Sequence, residues 1–180
     1  MIYMISGPIA SGKGEVTNVI RNIYGSCNVS VFVLSDLLRA EAKRRGLDVT
    51  RKNLKIIGDE WRKRMGHGAL AKKIFPLVNQ VVRRGKIAIV DSIRFSAEVD
   101  ALKHTSLPNL FLFVGADEQM RAQRMRVRDR KDDRVIDVGQ TLRQEWMNFE
   151  LSDLKQMADL IINGSLPLVE IQRKIQSIIK

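Results

Sequence analysis

At 180 residues, with 44% hydrophobic and 28% charged side chains, the chain has the length and balance of one compact domain of a soluble globular protein. A single cysteine, Cys27, excludes an internal disulfide, and the apolar start Met1–Ile5 has no basic flank and stops at Ser6-Gly7, which excludes a signal peptide or membrane span; a cytoplasmic protein with no membrane partner is expected. The net charge of +11 is focused: residues 36–75 hold twelve Lys or Arg against five Asp or Glu, and residues 121–134 seven against three, so two stretches carry the whole excess and suggest surfaces that meet phosphates.

No repeat, low-complexity tract or Pro/Gly-rich linker divides the chain, so residues 1–180 are expected to form a single domain. Ile2–Ser6 reads as a buried strand, followed by a helix from about Gly12 to Tyr24. Val29–Leu34 is a second strand; Ser35 is placed to cap a helix over Asp36–Arg45 that stops at Gly46. Thr50 is placed to cap another helix ending near Met65-Gly66. A further helical pattern runs from Gly68 to Arg84, with Pro76 as a kink or break. Ile87–Val90 is a third strand, Ser96 a cap for a helix reaching His104, and Leu110–Val114 a fourth strand. Asp117–Arg130 is strongly helical, one long helix is expected over about Val138–Met157, Leu160–Ile162 is the last strand, and Ser165 and Pro167 open a C-terminal helix. Short all-apolar strands alternating with helices indicate a parallel sheet buried on both faces. Right-handed crossovers make that a three-layer α/β/α sandwich on a five-stranded parallel sheet. The helical stretch at about 36–84 is too long for a simple crossover and is expected to be a substrate-binding insertion.

Gly7-Pro8-Ile9-Ala10-Ser11-Gly12-Lys13 matches GxxxxGK, directly after a strand and directly before a helix. Glycines let the backbone curl so that N–H groups at residues 7–14 point at phosphate oxygens, and the helix start adds its positive dipole end. Lys13 is expected to bridge the β- and γ-phosphates of ATP and to follow the charge during transfer. Gly7, Ala10, Ser11, Gly12, Gly14 and Glu15 complete the candidate nucleotide contacts. Where the motif usually continues with Ser or Thr stands Gly14, so Mg2+ is expected to be held by nucleotide oxygens and water with no direct side-chain ligand. Ile87–Val90 followed by Asp91 is a Walker-B-like strand; Asp91 is a candidate to orient magnesium's water or to accept a proton from the acceptor, two roles the sequence leaves open.

The phosphate loop with Gly14 resembles that of adenylate kinases, and the chain is similar throughout to the P-loop nucleotide kinase superfamily of nucleoside monophosphate kinase type. Ser35-Asp36-Leu37-Leu38-Arg39 looks like a segment in which the arginine binds the acceptor's phosphate; the resemblance implies substrate roles for Asp36 and Arg39. Asp91-Ser92-Ile93-Arg94 resembles the Asp-Gly-x-Arg of dephospho-CoA-kinase-like proteins, which implies that Arg94 contacts an acceptor phosphate. Arg124 and Arg128, one helical turn apart, match lid-edge arginines that reach the donor phosphates, with catalytic roles implied for both. Arg130-Lys131-Asp132-Asp133 resembles the end of the adenylate kinase lid and Arg143 a later lid arginine, which implies a short lid at about 124–137 with Arg130 and Arg143 on substrate. Ala158–Leu166 resembles the strand and turn that pass over the donor adenine, placing Gly164 there. Leu54–Leu70 lacks a clean match to the acceptor-base pocket of adenylate kinases.

The expected function is therefore transfer of the γ-phosphate of ATP to a nucleotide or nucleotide-like acceptor, of nucleoside monophosphate or dephospho-CoA type. The basic 36–75 stretch keeps open a kinase acting on a nucleic-acid end or modified base. A third class is a regulatory or assembly P-loop ATPase, against which stands the lack of a switch glutamine or an Asn-Lys-x-Asp run. Trp61 reads as core before it reads as a base-stacking residue, and His67 and His104 receive no catalytic role.

Overall fold

The computed structural model describes residues 1–127 and 137–179. Five strands, β1 (Ile2–Ser6), β2 (Val29–Val33), β3 (Ile87–Ile93), β4 (Asn109–Gly115) and β5 (Leu160–Asn163), form one sheet in the order β2-β3-β1-β4-β5. Every pairing is parallel, as expected from the apolar strand runs; burial on both faces holds for the inner strands, while the edge strands β2 and β5 are partly exposed. The period of two sorts β1 between two cores: Ile2 and Met4 pack on one face, Tyr3 and Ile5 on the other. The Tyr3–Ile5 face is covered by α1 (Lys13–Tyr24) and α9 (Leu168–Gln176). The other is covered by α2 (Leu34–Arg44), α3 (Arg51–Met65), α4 (Ala69–Arg83), α5 (Ser96–Lys103) and α8 (Leu151–Met157). A third, small cluster of Ile9, Met125 and Leu142 ties the loop after β1 to α6 (Glu118–Val127) and α7 (Val138–Asn148). Among the described residues, no helix is long and apolar enough to cross a membrane.

Several local expectations are corrected. Ser35 is not a cap: α2 begins at Leu34, and the Ser35 hydroxyl accepts a hydrogen bond from Arg39. Thr50 does cap α3, accepting from the Asn53 amide. Pro76 neither ends nor divides α4; it lies on the exposed side, where water can satisfy the carbonyl its missing N–H leaves behind. Ser96 is the first residue of α5, and the amides at this helix start are held instead by the buried Glu98 carboxylate, which accepts from Arg94 N at 2.8 Å and Phe95 N at 3.3 Å. The single helix expected over 138–157 is two, α7 and α8, broken at Phe149-Glu150. Tertiary contacts win there over helix propensity: Glu150 donates its amide to the Arg94 carbonyl oxygen at 3.1 Å, and its carboxylate accepts from Ser96 N at 2.7 Å.

β3 runs three residues beyond Val90 by way of a bulge. Ile5 faces Asp91 and Ser6 faces Ile93, so Ser92 has no counterpart on β1. Ser92 takes φ 68°, a left-handed conformation that costs a non-glycine residue about 1–2 kcal/mol; it stands where the Asp-Gly-x-Arg pattern has glycine. Glycine removes the steric cost but loses about 0.5–1 kcal/mol of chain entropy. Ser92→Gly is therefore expected to melt within a few degrees of the parent, while Ser92→Val, β-branched and worst suited to positive φ, loses at least about 2 kcal/mol. Equal melting temperatures for the two variants would remove the strained bulge from this account.

Candidate functional site

The loop between β1 and α1 lies at the carboxyl edge of the sheet, where open α/β sheets bind ligands. Its shape depends on left-handed positions at Gly7 (φ 137°), Ala10 (φ 58°) and Gly12 (φ 100°). At Gly7 no side chain fits at all, because a Cβ would run into the Val114 carbonyl oxygen. Gly12 is the N-cap of α1 and brings no side-chain cap, so the helix start keeps its amides and dipole for another partner. The buried Ser11 hydroxyl likewise has no hydrogen-bond partner. These are the marks of an anion cradle, and a polyphosphate fits it.

Lys13 folds back over the loop. Its ammonium donates to the carbonyl oxygens of Gly7 at 2.9 Å and Pro8 at 2.8 Å. Burial and then the nearby Arg94 push its pKa down to about 7, with Arg121 acting the same way and Asp91 and Glu145 opposing them. Gly14 is open, with nothing within 4 Å of where a Cβ would stand, and Glu15 is exposed in the first turn of α1.

Asp91 and Arg94 arrive from β3 and the turn after it. The bulge turns Asp91 so that its carboxylate accepts the Ser92 amide at 2.5 Å. Arg94 lies over the Phe149 ring at 4.9 Å, donates to the Gly7 carbonyl oxygen at 3.2 Å and to Glu145 at 2.8 Å. Burial pushes Glu98, which holds the Arg94 amide, up to about 7. Arg62 of α3 rests on the Phe95 ring at 4.3 Å, next in chain to Arg94.

Arg124 of α6 joins the loop after β1 to the turn after β5. It donates to the Ala10 carbonyl oxygen at 3.3 Å and to the Gly164 carbonyl oxygen at 2.9 Å. Gly164 itself donates to the Gly115 carbonyl oxygen at 2.6 Å, and a Cβ there would collide with the Ser11 carbonyl oxygen. The structure thus gathers Gly7, Ala10, Ser11, Gly12, Lys13, Asp91, Arg94, Arg124 and Gly164 around one loop.

Other expected residues stand apart from it. Asp36 is exposed and pairs with Arg39 at 2.8 Å on α2. Arg143 is on the exposed side of α7, beside Gly139. Arg128 and Arg130 lie outside the described residues, as does most of the lid expected at 124–137. Trp61 packs against the core with Lys73 over its ring at 4.4 Å, and His67 meets the edge of Phe95. The basic 36–75 stretch is partly answered from within: Asp36, Glu41, Asp59 and Glu60 all pair with its own Arg or Lys side chains.

The residues that pattern reasoning missed are Glu145 and Arg121. Both are almost fully buried, Glu145 at 5% exposure and Arg121 at 3%. Both Glu145 oxygens accept from the Ile9 amide, at 2.7 and 2.8 Å, so that amide is withdrawn from the cradle expected over residues 7–14. Arg121 donates to Glu145 at 2.8 Å and to the Ile9 carbonyl oxygen at 2.8 Å. A signal existed: Glu145 falls three after Leu142 and four before Phe149, which places a carboxylate in the middle of an apolar stripe, where a charge must be paired.

Comparison with known proteins bears on the family and the fold. The family model described as an AAA domain, AAA_17, matches residues 6–143. A UPF0200 protein of Pyrococcus horikoshii is 28% identical, with 99% of this chain and 96% of the relative covered. A UPF0200 protein of Pyrococcus abyssi is also 28% identical, over 100% and 96% of the two chains. Among solved structures, a sugar kinase from Janibacter sp. superposes with a TM-score of 0.63 at 13% identity, covering 98% of this chain and 92% of that one. Shikimate kinase from Acinetobacter baumannii, in complex with shikimate, superposes with a TM-score of 0.58 at 14% identity, covering 99% and 92%. The fold is that of P-loop kinases.

Proposed function

Because the chain belongs to the AAA_17 family of AAA domains and carries the fold of P-loop kinases, we propose that it is an ATP-dependent phosphotransferase. Its acceptor is a small phosphate-bearing molecule of nucleoside monophosphate or dephospho-CoA type, and it works in the cytoplasm as a single domain. One observation carries this: an uncapped helix start at Gly12, with the Lys13 ammonium laid across the loop in front of it.

The amides of Ala10 and of Gly12 to Gly14 hold the donor's phosphates, the Ser11 amide being given to the Pro8 carbonyl oxygen at 3.3 Å, and Lys13 leaves its two carbonyl oxygens to follow the transferring group. Arg124, already against Ala10 and Gly164, sits where it meets donor phosphates, and the Gly164 turn passes the adenine. Magnesium brought in with ATP would neutralise the β- and γ-phosphate oxygens. Among the described residues no group of three or more His, Cys, Asp or Glu stands ready for a metal, and Gly14 has no hydroxyl, so the fit is to an ion held by nucleotide oxygens and water, with Asp91 orienting that water or taking the acceptor's proton. Arg94 and Arg39, with residues 36–84 as the insertion, hold the acceptor. The sugar kinase and shikimate kinase that share the fold favour a small acceptor over a nucleic acid; the 36–75 carboxylates offset only part of that stretch's positive charge.

A transfer assay decides this. With γ-labelled ATP and a panel of nucleoside monophosphates, dephospho-CoA and short DNA and RNA strands, label is expected on a mononucleotide or on dephospho-CoA. Label appearing only on the strands, or only in free phosphate, would turn the assignment toward nucleic-acid kinase or ATPase.

A further inference from the structure

Glu145 has no part in the chemistry above, yet it is among the most heavily bonded side chains of the site. Its two oxygens receive the Ile9 amide, Arg94 Nη1 and Arg121 Nη2, all within 2.7–2.8 Å. Arg121 Nε donates to the Ile9 carbonyl oxygen in turn, so one residue of the phosphate loop is gripped through both its amide and its carbonyl. Here one carboxylate faces two arginines with Lys13 close by, and the surplus positive charge lies under the loop that faces the ligand. An arriving polyanion relieves that surplus.

We infer that Glu145 is a positioning residue for phosphoryl transfer: from α7 it fixes the Ile9 amide directly and the Ile9 carbonyl through Arg121, and turns Arg94 onto the Gly7 carbonyl oxygen beside Lys13, so that loop and acceptor-side arginine are set before ATP arrives. The inference rests on the phosphotransferase reading. It assigns α6 and α7 a shared task. α6 supplies Arg121 and Arg124, and α7 supplies Glu145; all three are bonded to residues 9 and 10 of the loop. Glu145 also acts through space. Four charged groups bear on Lys13: Arg94 from the turn after β3 and Arg121 from α6 lower its pKa, while Asp91 from β3 and Glu145 from α7 raise it. Removing the Glu145 charge therefore lowers it further, so that Lys13 loses its proton at a lower pH.

Glu145→Gln tests this through ATP itself. Titration calorimetry of ATP binding between pH 6 and 9 is expected to show wild-type affinity falling above about pH 7. In the variant the fall begins at least roughly half a unit lower, so affinity at pH 8 drops about threefold or more while that at pH 6 changes less. Intrinsic ATP hydrolysis is expected to fall by roughly tenfold or more, the scale of a misplaced catalytic group. A variant that binds with the wild-type pH profile, and differs only by a lower melting temperature, would make Glu145 structural and overturn the inference. A wild-type protein that binds no ATP would instead overturn the phosphotransferase reading beneath it. If Glu145→Gln does not fold, Glu145→Asp keeps the charge and shortens the reach. Its pH profile is then expected to match wild type while hydrolysis still falls; wild-type hydrolysis in that variant sinks the proposal.

Discussion

Lys13→Ala is expected to lower phosphoryl transfer by roughly two to three orders of magnitude while the melting temperature holds or rises. The rate loss follows from removing a cation aimed at developing charge in a partly enclosed site, where such a group does most. The stability claim follows from a sign. Lys13 has its pKa pushed down to about 7 from an ordinary 10.5, so folding disfavours its ammonium. That penalty is fully present below pH 7, fades as pH rises toward 10.5, and is absent above it. Removing the side chain therefore helps the fold most at low pH, offset by the two carbonyl oxygens it leaves behind. The same reasoning fixes a proton balance. A bound polyphosphate restores the ammonium, so at pH 8 to 9 ATP binding takes up close to one proton. Calorimetry in buffers of different ionisation enthalpy measures that uptake, and in Lys13→Ala it vanishes. A variant that transfers phosphate at the wild-type rate, or that shows the same proton uptake, would remove Lys13 from the centre of this site.

How much of this could be read in advance depended on how far the deciding contacts lie apart along the chain. The phosphate loop is local: Gly7 to Lys13 carry their geometry in consecutive residues, and the strand before and helix after are set by runs of like residues. The parallel sheet followed for the same reason at its buried central strands, which have few polar positions to misread; the edge strands β2, with Ser30, and β5 are only partly buried. Charge was harder. Five arginines within 121–130 imply mutual repulsion that only an incoming anion would relieve, yet Arg121 and Arg124 already have oxygen partners inside the protein. Those partners sit 24 to 114 positions away, beyond the reach of any local pattern. The break between α7 and α8 is of the same kind. No Gly or Pro marks it; Glu150 leaves the helix because Arg94 and Ser96, more than fifty residues earlier, hold its backbone and its carboxylate. Arg143 and Glu145 illustrate the limit best. A family likeness drew attention to the arginine, but the helical period turns it to the exposed side and sends the glutamate to the loop.

Gly164 and Gly14 make a matched pair, because both are glycines assigned to the proposed nucleotide site but only one has room for a methyl group. At Gly164 a Cβ collides with the Ser11 carbonyl oxygen, and the next neighbours, the Ser11 carbonyl carbon at 3.1 Å and the Gly115 carbonyl oxygen at 3.2 Å, are also backbone. None of these can rotate away, so Gly164→Ala has to separate the β5 turn from the phosphate loop or strain both. The cost of such overpacking is about 3 kcal/mol, and separation also draws out the contacts that Arg124 makes to Ala10 and Gly164. ATP affinity should therefore fall along with stability. At Gly14 nothing stands within 4 Å, and its place in the first turn of α1 favours any residue over glycine by up to about 1 kcal/mol. Gly14→Ala is expected to melt at or above the parent temperature, while Gly164→Ala melts well below it. Thermal denaturation of the two variants side by side gives the answer. Equal melting temperatures would mean that the loop and the β5 turn are not pressed together as the Gly164 contacts require, and the joint surface assigned to the nucleotide would go with them.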